Sequence, residues 1–142
     1  CAQFLEGDPS HHVAFRHRNH LAICTASPVA VSSGMALLDL SQPLVPAWGV
    51  DGRKLVGGYA ALWSGNSLSD SIVRYTGGQN DRDPILLRIG GLVPTATTTG
   101  YFTEDNTMDG VVKYTGGAND RDRILQTIGG VVPTVTRTAQ LP

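Results

Sequence analysis

Asp105-Asn106-Thr107-Met108-Asp109-Gly110-Val111 follows much of the pattern Asp-x-[Asp/Asn]-x-[Asp/Asn]-Gly that opens a calcium-binding loop. The spacing suits a hard cation. Oxygen side chains at the first, third and fifth positions converge, glycine at the sixth permits the sharp turn, and the seventh residue offers its backbone carbonyl. Asp105, Thr107, Asp109 and Val111 hold those four places, and Asn106 competes if the register slips by one. The usual twelfth-position acid is absent, so Asp120 or Asp122, carried in by the Tyr114–Asn119 insertion, is expected to close the sphere. An earlier stretch follows the plan more poorly. Asn66, Leu68 and Asp70 hold the same places, Ser71 replaces the glycine, and Asp81 and Asp83 follow. Leu68 has no side-chain oxygen, so the second loop is expected to bind calcium, and the first to bind it weakly or to keep the shape without the ion. The competing reading makes these acids helix caps and turn formers.

The elements that must position these acids are duplicated. Asp70–Thr99 and Asp109–Thr138 match at 20 of 30 positions with an offset of 39. In each repeat a short β-type stretch, Ile72–Tyr75 or Val111–Tyr114, stops at a Gly-Gly pair. A helix is expected next, capped by Asn80, Asp81 and Asp83 or by Asn119, Asp120 and Asp122. Ile85, Leu86 and Ile89 give the first helix an apolar face, repeated as Ile124, Leu125 and Ile128. Gly90-Gly91 and Gly129-Gly130 end the helices as C-caps. Helices this short need packing, most simply against each other.

Upstream, His12–Arg16 and Leu21–Thr25 read as strands joined through His17-Arg18-Asn19-His20, with further strand-like runs at Val29–Val31, Met35–Leu40 and Leu55–Trp63. With 17 glycines and 8 prolines in 142 residues, turns must be frequent. The fold class expected is mainly β: a partial β-sandwich over 1–63, a duplicated calcium-loop and short-helix unit over 64–130, and an extended tail over 131–142. A soft boundary falls near Trp63-Ser64. Cys1 and Cys24 are compatible with one disulfide or with two reduced thiols. The tail is alternating and β-branched, and reads either as a donor strand for a neighbouring chain or as a segment folded back on its own chain.

A net charge of −1 offers no basic footprint for nucleic acid or an anionic membrane, and no apolar run approaches the ~20 residues of a membrane span. Residues 1–20 lack the regions of a signal peptide, so the chain reads as processed material. His11, His12, His17 and His20 make no recognisable zinc spacing and are expected at strand edges and turns. No Gly-x-Ser-x-Gly elbow or comparable catalytic signature occurs. Trp48, Tyr59, Trp63 and Tyr101 are expected in the core, with a sugar-binding platform as the other reading.

The loop, short helix and duplication resemble a dockerin, the calcium-stabilised module that docks secreted bacterial proteins onto a partner; the Tyr-Thr-Gly-Gly insertion departs from it. A likeness covering nearly the whole chain is to the C-terminal module of large secreted bacterial proteins. It is carried by Arg16–Leu21, Tyr75–Leu86, Tyr114–Leu125 and Val132–Thr134. The resemblance implies extracellular or cell-surface placement and no catalytic chemistry. The function expected is a structural or assembly module stabilised by calcium, self-associating as a homo-oligomer or as a fibre with strand exchange through residues 131–142. The alternative is a calcium-dependent module that binds another extracellular protein or a glycan.

Overall fold

The structure is a computed structural model that describes residues 10–30 and 36–142, and the chain divides into two units. The first unit comprises the described residues of 1–15, with 22–62 and 140–142. It is built of two-stranded antiparallel ribbons. β1 (Ser10–His11) pairs with β4 (Val29–Ala30), β2 (Ala14–Phe15) with β3 (Ile23–Cys24), and β5 (Lys54–Val56) with β6 (Tyr59–Ala61). Among the described residues these ribbons stand as separate two-stranded sheets, and the two facing sheets expected for 1–63 are not seen. The strand expected over Met35–Leu40 is not formed in its described part, where Leu37 is almost wholly exposed and so has nothing to pack a strand face against. Cys24 is buried in β3. Its candidate partner Cys1 lies outside the described residues.

The second unit comprises Arg16–Leu21 and Trp63–Ala139. It holds β7 (Ile72–Arg74), α1 (Arg82–Arg88), β8 (Thr97–Thr99), β9 (Val111–Lys113), α2 (Asp120–Thr127) and β10 (Thr136–Thr138). Each repeat supplies an entry strand, a helix and an exit strand, and the repeats pair with each other. The exit of the first repeat, β8, lies antiparallel to the entry of the second, β9; the exit of the second, β10, lies antiparallel to the entry of the first, β7. Flanking contacts repeat the exchange. Thr76 Oγ1 donates to Pro133 O at 3.0 Å, and Thr115 Oγ1 to Pro94 O at 2.9 Å. Asn106 Nδ2 donates to Ser67 Oγ at 2.8 Å, and these positions are equivalents 39 residues apart. Equivalent groups can touch only close to the axis that relates the two repeats.

The core of this unit follows the apolar pattern. Ile85, Ile89, Ile124 and Ile128 bury against one another with Val73, Val112, Leu21 and Trp63, and Leu86 and Leu125 pack at its margin. Both helices end where the glycine pairs stand. Gly91 N–H reaches Leu86 O and Gly130 N–H reaches Leu125 O, each at 2.8 Å, with positive φ at all four glycines. Gly65 is required for another reason: a Cβ there would lie 3.2 Å from Ile124 Cα, against the backbone of α2. The tail residues 136–138 are held by β7 in the same chain, the fold-back arrangement.

Candidate metal centre

The acids of both repeats are positioned by the turn between loop and entry strand, and each has a specific backbone client. Asp81 is fully buried, accepting the Leu68 N–H at 3.1 Å and the Arg74 N–H at 2.8 Å. Asp120, equally buried, accepts the equivalent N–H groups of Thr107 at 2.9 Å and Lys113 at 2.8 Å. One carboxylate thus ties the loop to the entry strand from the head of each helix. Burial is the largest influence on Asp81 and pushes its carboxyl up to about 6, against the pull of those two N–H groups, and burial raises Asp120 too.

The neighbouring motif residues are accounted for in the same way. Asn80 Oδ1 accepts the N–H groups of Arg82 and Asp83, while its Nδ2 donates to Asp83 Oδ2 at 2.9 Å. Asn119 and Asp122 repeat the exchange, with Asp122 N–H at 2.9 Å and Oδ2 at 2.8 Å. These are reciprocal helix caps. The Asn119 amide is the main cause holding the Asp122 carboxyl below its ordinary range. Arg82 lies over the Tyr75 ring at 4.6 Å and Arg121 over Tyr114 at 5.2 Å.

The two loops differ where calcium would matter. In the first, Asn66 Oδ1 accepts the Asp70 N–H at 3.1 Å and Asn66 Nδ2 donates to the Asp70 carbonyl at 2.6 Å, so the amide closes the turn by itself. Asp70 Oδ1 accepts the Ile72 N–H. With the Asn66 amide engaged by the Asp70 backbone and no side-chain oxygen at Leu68, this loop offers a hard cation fewer donors.

In the second loop, Asp105 is buried and accepts the N–H groups of Asp109 at 3.2 Å and Gly110 at 3.0 Å. Thr107 Oγ1 lies 3.4 Å from Asp105 Oδ1 and 3.2 Å from Asp120 Oδ1, which brings three of the expected ligand oxygens together. Asn106 Oδ1 is buried without a hydrogen-bond donor. Thr107, Asp109 and Asp122 line an open cleft of about 320 Å³ with Asn119. Val111, in β9, donates its N–H to Asp109 Oδ1 at 2.9 Å, the largest cause lowering the Asp109 carboxyl.

Two protein cations are also engaged. Arg18 pairs with Asp105 Oδ2 and Lys113 with Asp109 Oδ2, each at 3.1 Å. Among the described residues no three His, Cys, Asp or Glu side chains form one metal-binding group. A cation here would have to draw on Thr107 and on backbone carbonyls as well. The second loop offers a hard cation more side-chain oxygens than the first.

Sequence reasoning missed Arg18 and Asn19. Asn19 is fully buried; its Nδ2 donates to Asp105 O at 2.5 Å, and its own carbonyl accepts Gly65 N–H at 3.1 Å and Asn66 N–H at 3.0 Å. It thereby fastens both loops. The only signal was the polar run at 17–20, which local pattern reads as an ordinary turn. No protein-family model, curated protein or solved structure matches the chain.

Proposed function

We propose that the chain is an extracellular structural or assembly module, without a catalytic step, whose second loop takes calcium. The observation that carries the assembly reading is a duplicated exposure. Leu92 and Val93 stand 89% and 55% exposed after α1, and Val131 and Val132 stand 84% and 51% exposed at the equivalent places after α2. These apolar exits are what the unit presents twice, once after each helix. Paired apolar sites on a pseudo-symmetric unit suit association of the chain with further copies of itself, as a homo-oligomer or a fibre. Strand exchange through residues 131–142 would first have to open the β7–β10 pairing, so association is assigned to the helix exits. Docking of another extracellular protein or a glycan on the same exits is the second reading, supported by the likeness to dockerins.

Asp105, Thr107, Asp109, the Val111 carbonyl, Asp120 and Asp122 would hold the calcium ion, which supplies a positive charge shared by acids drawn from loop and helix. Negative-stain imaging and light scattering after size exclusion test the assembly. Wild type is expected to form higher-order particles, and a variant with Leu92, Val93, Val131 and Val132 replaced by serine to remain monomeric. A monomeric wild type over the whole concentration range would favour the docking reading.

A further inference from the structure

We infer that the turn His17-Arg18-Asn19-His20 is a binding site for a divalent first-row transition cation, held by His17 Nδ1, Asn19 Oδ1 and His20 Nδ1. The three atoms form a tight triangle. His17 Nδ1 lies 3.1 Å from Asn19 Oδ1 and 2.9 Å from His20 Nδ1, and His20 Nδ1 lies 2.8 Å from Asn19 Oδ1. The turn is closed by His20 N–H on His17 O at 3.4 Å, which is why residues three apart bring their rings together, with centroids 4.7 Å apart at 81°.

Protons cannot satisfy this triangle. Asn19 Oδ1 is an acceptor, and its orientation is fixed independently because Nδ2 on the same amide donates to Asp105 O. If both imidazoles carry Nδ1–H, the 2.9 Å contact between them sets donor against donor. If only one does, the other nitrogen turns a lone pair toward the Asn19 oxygen. With neither, all three contacts set acceptor against acceptor. A cation removes the conflict, since all three atoms then offer lone pairs to one centre and the ring protons sit on Nε2.

The dimensions agree. Ligands about 2.1 Å from a metal ion and at right angles to one another lie about 3.0 Å apart. The three edges of 2.8, 2.9 and 3.1 Å therefore match one face of an octahedral sphere. Two imidazole nitrogens and one amide oxygen select a borderline ion such as Zn²⁺, Ni²⁺ or Cu²⁺ over calcium, which takes oxygen. The contact from Asn19 to Asp105 orients the oxygen ligand, the usual part of an outer-shell partner. Arg18 places a positive charge beside the site, and its ion pair with Asp105 offsets it.

The site is tested with Zn²⁺ on chelator-stripped protein carrying Cys1→Ser, which removes a competing thiol. Calorimetry is expected to show one equivalent bound, and nitrogen-detected imidazole spectra to move for His17 and His20 but not for His11 or His12. His17→Gln and His20→Gln should each weaken binding at least tenfold while the metal-free melting curve stays cooperative; His12→Gln should leave it unchanged. If either variant fails to fold, the wild-type imidazole spectra decide alone. No saturable binding, or Zn²⁺ shifts confined to other histidines, would overturn the assignment.

Discussion

At the scale of single residues, the motif acids act first on the backbone. Asp81 and Asp120 each bridge two N–H groups from different segments, and the helix heads are capped by Asn80 and Asn119. The structure shows these acids as caps and ties in both repeats, and the calcium proposal concerns the second loop alone. A pH dependence follows for Asp81. Its folded carboxyl titrates at about 6, above the ordinary value of 3.8, so between those values the folded chain holds a proton more tightly than the unfolded one. The stability this group contributes is then greatest at low pH and declines as pH rises from about 4 to about 6. A carbon-detected carboxyl titration should place the Asp81 midpoint near 6; a midpoint near 4 would show that the backbone N–H groups fully offset burial. Calcium is expected to raise the melting temperature of chelator-stripped protein, through binding the folded state only, and Asp109→Ala to abolish that rise. An equal response in Asp109→Ala would leave the acid of that loop as a turn former.

At the scale of elements, the repeat made the helices, their apolar faces and their glycine ends legible. Ile85 and Ile124 recur at one offset, and each is fully buried. Ile124→Ala is expected to cost about 2–5 kcal/mol, since it empties space where both helices and both entry strands meet. Chemical denaturation reads this directly, and a cost near zero would separate the helices. What the chain pattern could not show is which strands pair. β7 and β10 are each three residues long and lie more than a helix apart in sequence, and a short alternating run looks the same whether its partner is near, distant or in another chain. The partial sandwich expected upstream carries a related ambiguity. Short strands at regular spacing also describe separate two-stranded ribbons, and Leu37 has no face to bury. Asn19 was invisible because a buried asparagine inside a polar run carries no local mark of burial.

At the scale of the whole chain, strand outweighs helix among the regular elements, which include two short helices, and no helix among the described residues is long and apolar enough to cross a membrane. The interlocked repeats explain how so many three-residue strands can hold. Each exit strand closes on the other repeat's entry strand, so the two repeats are coupled through both ribbons. The proposed assembly builds on that closed unit, with the helix exits as contacts and β10 kept at home. The most direct measurement is a cross-strand disulfide between Arg74→Cys and Thr136→Cys, which are register partners, in a Cys1→Ser/Cys24→Ala background at concentrations where the chain associates. A non-reducing gel is expected to show a single monomer band with the bridge inside each chain. A ladder of disulfide-linked oligomers would contradict the closed unit and move the assembly contact to an exchanged C-terminal strand.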